Sequence, residues 1–269
     1  MNASRDVLTR PAPGPDHVDR YGPDPDHVID RWAPAGAPRT LVVMLHGGFW
    51  RAEYDRRYTY AMCAAWAAEG YAVASVEYRR TGAPGGGTPG TFTDVAAALD
   101  TLCAAAAVPV VVVGHSAGGH LAAWAGLRHG LPPGAPGRLA GPPPLAGVIA
   151  LAGVLDLGAA VDLDLDGGAA LELLRGGGDV DAALDRADPV RLARSAPVPG
   201  PPAILLHGDA DPLVPLALSR AYADAAGADL RVLPGIGHFE PVDPLSTAWP
   251  HVLRAVAELA ARPGRSGAP

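Results

Sequence analysis

The sequence predicts an α/β fold, a mostly parallel doubly wound sheet flanked by helices. Three observations predict it. Short, continuous apolar runs rich in β-branched residues recur along the 269 residues, as expected of strands buried on both faces. Ala- and Leu-rich segments long enough for helices lie between them, which suits right-handed βαβ crossovers. The 34 glycines and 29 prolines gather near 11–38, 82–90, 130–147, 176–178 and 197–202, so they punctuate loops and do not mark low complexity.

The elements follow in order. Residues 1–26 are polar and Pro-rich and read as a flexible arm with little regular structure. One domain is expected over 27–261. Thr40 to Leu45 (TLVVML) is the first buried strand. Residues 57–69 have helical composition, with Gly70 placed to cap the end. Residues 71–78 form a second strand, and 92–107 a helix with Thr93 or Asp94 near its start. Residues 109–113 are the third and most apolar strand, followed by a helix over 117–129. Further buried strands are expected at 145–151, 203–206 and 229–233, then a terminal helix over 245–261. Residues 154–200 break the alternation with an acidic segment (DLDLDGG) and two helices near 169–175 and 180–194. That is too long for a plain connection and reads as a small cap insertion. Residues 262–269 read as a disordered tail.

Composition excludes several chemistries. All 21 basic residues are Arg. Without Lys there is no Schiff base with a carbonyl substrate, no P-loop lysine and no Ser-Lys dyad. A net charge of −7 argues against nucleic-acid or anionic-membrane partners. The first 30 residues carry no apolar leader-like run, and the longest apolar stretch, Cys103 to Gly114, is broken by Pro109 and too short to span a bilayer. Cys63 and Cys103 sit in Ala-rich stretches and read as buried thiols. A cytoplasmic protein without cofactor is expected. Its partner is a small-molecule ester or amide substrate, and a homodimer is compatible with the sequence.

The motif that carries chemistry is Gly114-His115-Ser116-Ala117-Gly118 between an apolar strand and an Ala-rich helix. A sharp strand-to-helix turn exposes the serine hydroxyl, and glycines two before and two after remove side chains that would clash. The following helix adds a positive dipole end and free N–H groups. A serine nucleophile needs donors where negative charge develops. His46-Gly47-Gly48-Phe49-Trp50, just after the first strand, supplies a glycine segment for this purpose. Gly47, Gly48 and Phe49 with the Ala117 amide form the expected oxyanion hole. An acid and then a histidine should follow the nucleophile. In His207-Gly-Asp209-Ala-Asp211-Pro212, Asp211 lies further out on the loop than Asp209, and Pro212 favours an extended backbone there. His238 in Gly235-Ile-Gly-His-Phe follows the last strand on a glycine loop and is the expected base. His251 reads as a helix surface residue and His207 as strand-end packing. His46, His115, His120 and His129 match no zinc spacing and read as packing residues, so no metal is expected. Trp50, Tyr54, Tyr58 and Trp66 either line the pocket or pack, with Trp50 favoured for the pocket beside His115 and Phe239. Asp156 reads as a structural turn residue.

Over residues 28–261 the sequence resembles the α/β-hydrolase superfamily, through HGGFW, GHSAGGHLA, HGDADP and GIGH in that order. Within it, HGG-x-W is similar to the branch of kynurenine formamidases (arylformamidases) and related carboxylesterases. The resemblance implies a Ser116–Asp211–His238 triad, an acyl-enzyme, and either a small ester or an aryl formamide as substrate. Other readings are a biosynthetic cyclase or acyl transferase on the same fold and a non-catalytic binding protein. Peptide cleavage of the prolyl-oligopeptidase kind would need a propeller for which the chain has no room.

Overall fold

The computed structural model describes residues 3–262. The strands are β1 (His17–Arg20), β2 (Val28–Trp32), β3 (Leu41–Leu45), β4 (Ala72–Val76), β5 (Val110–His115), β6 (Gly147–Leu151), β7 (Ala203–Gly208) and β8 (Asp229–Leu233). They form one sheet in the order β1-β2-β4-β3-β5-β6-β7-β8. From β4 to β8 all pairings are parallel, and β2 runs antiparallel to both β1 and β4. The long helices are α1 (Tyr60–Ala68), α2 (Gly90–Ala105), α3 (Ala117–Gly126), α8 (Leu216–Ala226) and α9 (Trp249–Ala260), and α4 (Leu157–Asp162), α5 (Ala169–Leu174), α6 (Val180–Ala187) and α7 (Pro189–Ser195) lie between β6 and β7.

The period-two alternation of strand side chains divides the core into two layers. Val43, Leu45, Val110, Val112, Val148, Ala150 and Leu205 face α2, α3, α8 and the α4–α7 segment. Val42, Met44, Val111, Val113, Ile149, Leu151, Ile204 and Leu206 face α1 and α9 through Met62, Cys63, Trp66, Val252, Val256 and Leu259. Both faces are covered, which explains why β3 and β5 read as unbroken apolar runs. Each fully buried Val or Leu there contributes about 1.5–3 kcal/mol. Neither cysteine is in a disulfide, and burial pushes the Cys63 thiol up to about 12. Among the described residues no helix is long and apolar enough to cross a membrane.

Two expectations need correction, and two elements are additional. The segment expected as an irregular arm holds a 3-10 helix over Ala3–Thr9 and the strand β1. Val7 is buried in the second core layer, and the Arg10 guanidinium grips Asp243 with two donors. All four β1 residues are exposed, so that strand rests on backbone pairing with β2 and leaves no hydrophobic signal in the sequence. β2 and α8 were also not foreseen. Most of the expected disordered tail, 263–269, lies outside the described residues. The helix after Ser116 ends at Gly126, followed by a single 3-10 turn over Arg128–Gly130.

Candidate active site

Four parallel strands end where the site lies. Ser116 follows β5, the HGGFW segment follows β3, Asp211 follows β7 and His238 follows β8. This is the carboxyl edge at which open α/β sheets carry their ligand sites.

Backbone sterics set the elbow. Ser116 has φ 54° and ψ −119°, a conformation rarely held by a side-chain-bearing residue. Its N–H donates to the Leu151 carbonyl of β6 at 2.8 Å, and its own carbonyl accepts from His120 and Val154 at 3.1 and 3.3 Å. A Cβ on Gly114 would lie 2.0 Å from the Gly118 carbonyl oxygen, and one on Gly118 would lie 2.0 Å from that of Leu45. Only glycine fits at either position, so the strand, the serine turn and the helix are locked by contact. Ala117 is the first residue of α3. Its N–H is one of the helix-start donors without an intrahelical acceptor.

The glycine segment lies on this elbow. A Cβ at Gly47 would come within 2.8 Å of the His115 carbonyl oxygen and 2.9 Å of the Ser116 Cβ. Gly48, Phe49 and Trp50 all have positive φ (109°, 49° and 56°), so three successive peptides turn sharply beside the serine. The expectation that Gly47 serves as an oxyanion donor is corrected: its N–H donates to the Tyr58 hydroxyl at 2.6 Å. The following two amides, Gly48 and Phe49, remain the candidate donors beside Ala117.

The acid and base loops are held by hydrogen bonds. His238 Nδ1 meets Asp211 Oδ2 at 2.7 Å, and both side chains are buried. Asp211 Oδ1 accepts from the amides of Leu213 and Val214 at 2.8 and 3.0 Å. Burial pushes the Asp211 carboxyl up, but hydrogen bonds from His207 and His238, the charge of His238 and the Val214 amide outweigh it and hold the group well below the usual carboxylate range. Asp209 has the other role: its Oδ1 accepts from the Gly235 amide at 2.7 Å, pinning the turn that leads to His238. His207, fully buried, bonds Ser219 Oγ at 2.7 Å and the Val214 carbonyl at 3.0 Å. It braces the acid loop from behind, consistent with strand-end packing.

The arrangement has recognised relatives. The BD-FAE family model matches residues 30–225. The chain belongs to the BD-FAE family. Its fold is that of the α/β-hydrolases, shared with solved esterases of low sequence identity. Esterase B from Lactobacillus rhamnosis is 21% identical, with 96% of this chain and 90% of that chain covered and a TM-score of 0.74. A truncated carbohydrate esterase from gut microbiota is 21% identical over 93% of this chain and 100% of its own, with a TM-score of 0.72. A propionate-bound thermophilic esterase from the Planctomycetes species Thermogutta terrifontis is 23% identical over 94% and 97%, with a TM-score of 0.68. Among curated proteins none matches.

In this BD-FAE chain the expected pocket residues divide. Trp50 is 1% exposed, and its Nε1–H donates to His120 Nδ1 at 3.2 Å. It belongs to the core, which corrects its assignment to the pocket. His115 is also buried with both ring nitrogens engaged, by Tyr58 at 2.9 Å and by the His238 carbonyl at 2.9 Å, so it is no pocket wall either. Phe239 is half-buried edge-on against His238, centroids 5.0 Å apart, and the Arg5 guanidinium covers its ring at 5.6 Å. His46 contacts the Gly47 carbonyl and Glu77 at 2.8 Å each, and His129 contacts the Val198 carbonyl at 2.8 Å. These rings are occupied by packing partners. His251 is exposed on α9, and Asp156 caps α4 by accepting from the Ala159 amide at 2.9 Å. Tyr58, for which the sequence allows pocket or packing, packs. Its hydroxyl contacts depend on residues 11 and 57 positions away, a pairing that no local pattern signals. A cleft of about 510 Å³ lined by Gly126, Val148, Pro201 and Ala203 lies at the amino ends of β6 and β7, opposite to Ser116.

Proposed function

We propose that the protein is a serine hydrolase that cleaves a small-molecule carboxylic ester through an acyl-enzyme. The observation that carries this reading is the 2.7 Å bond from His238 Nδ1 to the buried Asp211 carboxylate, on a loop gathered against the strained Ser116 elbow. A ring that donates its Nδ1 proton to a carboxylate keeps its lone pair on Nε2, the tautomer a general base needs. In the proposed reaction Nε2 takes the Ser116 proton as Oγ attacks the ester carbonyl carbon. The developing oxyanion accepts from the amides of Ala117, Gly48 and Phe49. His238 then hands its proton to the departing alcohol oxygen. The same nitrogen then takes a proton from water, which attacks the acyl carbon, and returns it to Ser116 Oγ as the acid departs. The names of the structural neighbours (esterase B, a carbohydrate esterase, a propionate-bound esterase) favour an ester. The α4–α7 segment is the proposed cap. The HGGFW segment, in turn, resembles that of arylformamidases and keeps an activated aryl formamide as the finer substrate to test.

A fluorophosphonate probe should add its mass to Ser116 in the wild type and leave Ser116→Ala unlabelled. An unlabelled wild type overturns the reading. Turnover of p-nitrophenyl acetate against N-formylkynurenine then separates the two substrates. Good ester turnover with negligible formamide turnover removes arylformamidase.

A further inference from the structure

Resting on that reading, we propose that Tyr58 and His115 are positioning residues. They form a buried hydrogen-bond relay that holds the oxyanion segment and the base loop in a fixed relation across Ser116. The relay has three links. The Gly47 N–H donates to the Tyr58 hydroxyl oxygen at 2.6 Å. The Tyr58 hydroxyl and His115 Nδ1 are 2.9 Å apart. His115 Nε2 is 2.9 Å from the His238 main-chain carbonyl.

The chemistry of the two ends fixes every proton between them. A carbonyl oxygen only accepts, so His115 Nε2 carries the hydrogen and donates it. A neutral ring then has its lone pair on Nδ1, so Tyr58 must donate its O–H there. With its own hydrogen so used, the phenol oxygen is free to accept from the Gly47 amide, which only donates. Each group has one role, and the assignment needs a neutral His115. Its surroundings keep it so: burial and then the nearby His238 push the ring down to about 3. His115 also packs on the base itself, with ring centroids 4.7 Å apart.

What the relay joins gives it its function. At one end Gly47 is held through both peptide groups, its N–H by Tyr58 and its carbonyl by His46 Nδ1 at 2.8 Å. That fixes the direction from which the Gly48 and Phe49 amides follow. At the other end the held carbonyl belongs to His238, whose side chain is the proposed base. Gly47 and His238 lie 191 positions apart in sequence, and no β-pairing joins β3 to β8. The relay passes through His115, the residue next to the nucleophile, and so references donor, nucleophile and base to one another. Errors of about 1 Å in such a reference cost on the order of 100-fold in rate.

The test uses the intact protein with p-nitrophenyl acetate. Tyr58→Phe removes one hydroxyl and keeps the ring. It should lower kcat about tenfold, less than the loss of a direct oxyanion donor, with KM and melting temperature close to wild type. His115→Leu should do the same, and His115→Asn, which offers one donor and one acceptor, should recover most of the loss. The double variant Tyr58→Phe/His115→Leu should be no slower than the slower single variant, because both cut one chain. Wild-type kcat in Tyr58→Phe, or multiplied losses in a folded double variant, overturns the relay. Should Tyr58→Phe not fold, the contrast between His115→Asn and His115→Leu decides, and equal loss in both rejects the relay. Failure of the hydrolase reading looks different: the wild type itself would neither turn over ester nor take up the fluorophosphonate.

Discussion

The two halves of the candidate site are held in place by different physics. The elbow around Ser116 is set by backbone contact. Glycines at 114 and 118 sit where any side chain would overlap a carbonyl oxygen at 2.0 Å, and the β5 side chains beneath are fully buried. The acid and base loops carry one such lock at their root, where a Cβ on Gly208 would lie 1.9 Å from the Ile236 carbonyl oxygen, and none further out. Gly235 takes a positive φ of 70°, yet a Cβ there would meet nothing within 4 Å. Beyond that point hydrogen bonds hold these loops: Asp209 to the Gly235 amide, Asp211 to the amides of Leu213 and Val214 and to the His238 ring. The contrast teaches that the position of Ser116, the candidate nucleophile, is a packing property, whereas the orientation of the His238 and Asp211 side chains beyond their packed loop root is an electrostatic one, so the two halves should fail under different insults.

The largest effect should come from cutting the electrostatic half at its centre. Asp211→Asn keeps the shape but removes the charge that fixes the His238 tautomer, and kcat should fall about 10⁴-fold. Asp209→Asn is the control. The Asp209 carboxylate accepts from the Gly235 amide and does not bond the His238 ring, so the change should cost far less. Equal losses in the two variants would erase the distinction between orienter and turn-holder. Activity at saturating substrate, with circular dichroism to confirm folding, makes the comparison.

The steric half should break through stability. In an ordinary helix Gly→Ala gains about 1 kcal/mol of propensity. At Gly118 the added methyl meets the Leu45 and His46 carbonyl oxygens at 2.0 and 2.3 Å. Contact should win, and overpacking of this kind costs about 1–3 kcal/mol or more. Gly118→Ala should lower the urea midpoint and abolish fluorophosphonate labelling. A stabilised, labelling-competent variant would show that the elbow can relax.

The smallest effect sharpens the comparison by pH. Asp211 is held below its ordinary range in the folded protein. Its contribution to stability is therefore complete above the unfolded carboxylate value, about 3.9, and is lost as pH falls from there through the lower folded value. The difference in urea midpoint between the wild type and Asp211→Asn should stay constant from pH 8 to pH 5 and shrink below about pH 4. The deficit of Gly118→Ala, which involves no titrating group, should not follow that curve. A deficit that shrinks equally in both variants would merge the two halves.

Residues differ in how much of their role shows in the chain. The runs that became β3, β5, β6 and β7 announced themselves because burial on both faces demands uninterrupted apolar sequence. Ser116 and its glycines were legible because a turn with a clash on either side admits few residues. Asp211 could be preferred to Asp209 from loop position and from the Pro212 that follows it. By contrast, β1 gave no signal, since exposed side chains and backbone pairing carry no hydrophobic pattern. Trp50 looked like a pocket residue because an aromatic next to a glycine turn has the same composition whether it faces solvent or core. Its burial depends on His120, 70 positions away. Gly47 and Gly48 are indistinguishable as letters, and only the Tyr58 hydroxyl decides which amide is already used.

The sequence by itself determined the parallel sheet, the elbow, and the order of the candidate residues Ser116, Asp211 and His238, because each follows from local sterics, periodicity or strand-end placement. Only the tertiary structure decided the partners of side-chain groups far apart in sequence: that Gly47 is held rather than donating to substrate, that His115 belongs to a relay rather than a pocket, and that the amino-terminal segment grips Asp243 through Arg10. A hydrogen bond requires a particular distance and direction between two atoms, and for residues separated by tens of positions that geometry exists only once the sheet has brought their loops together.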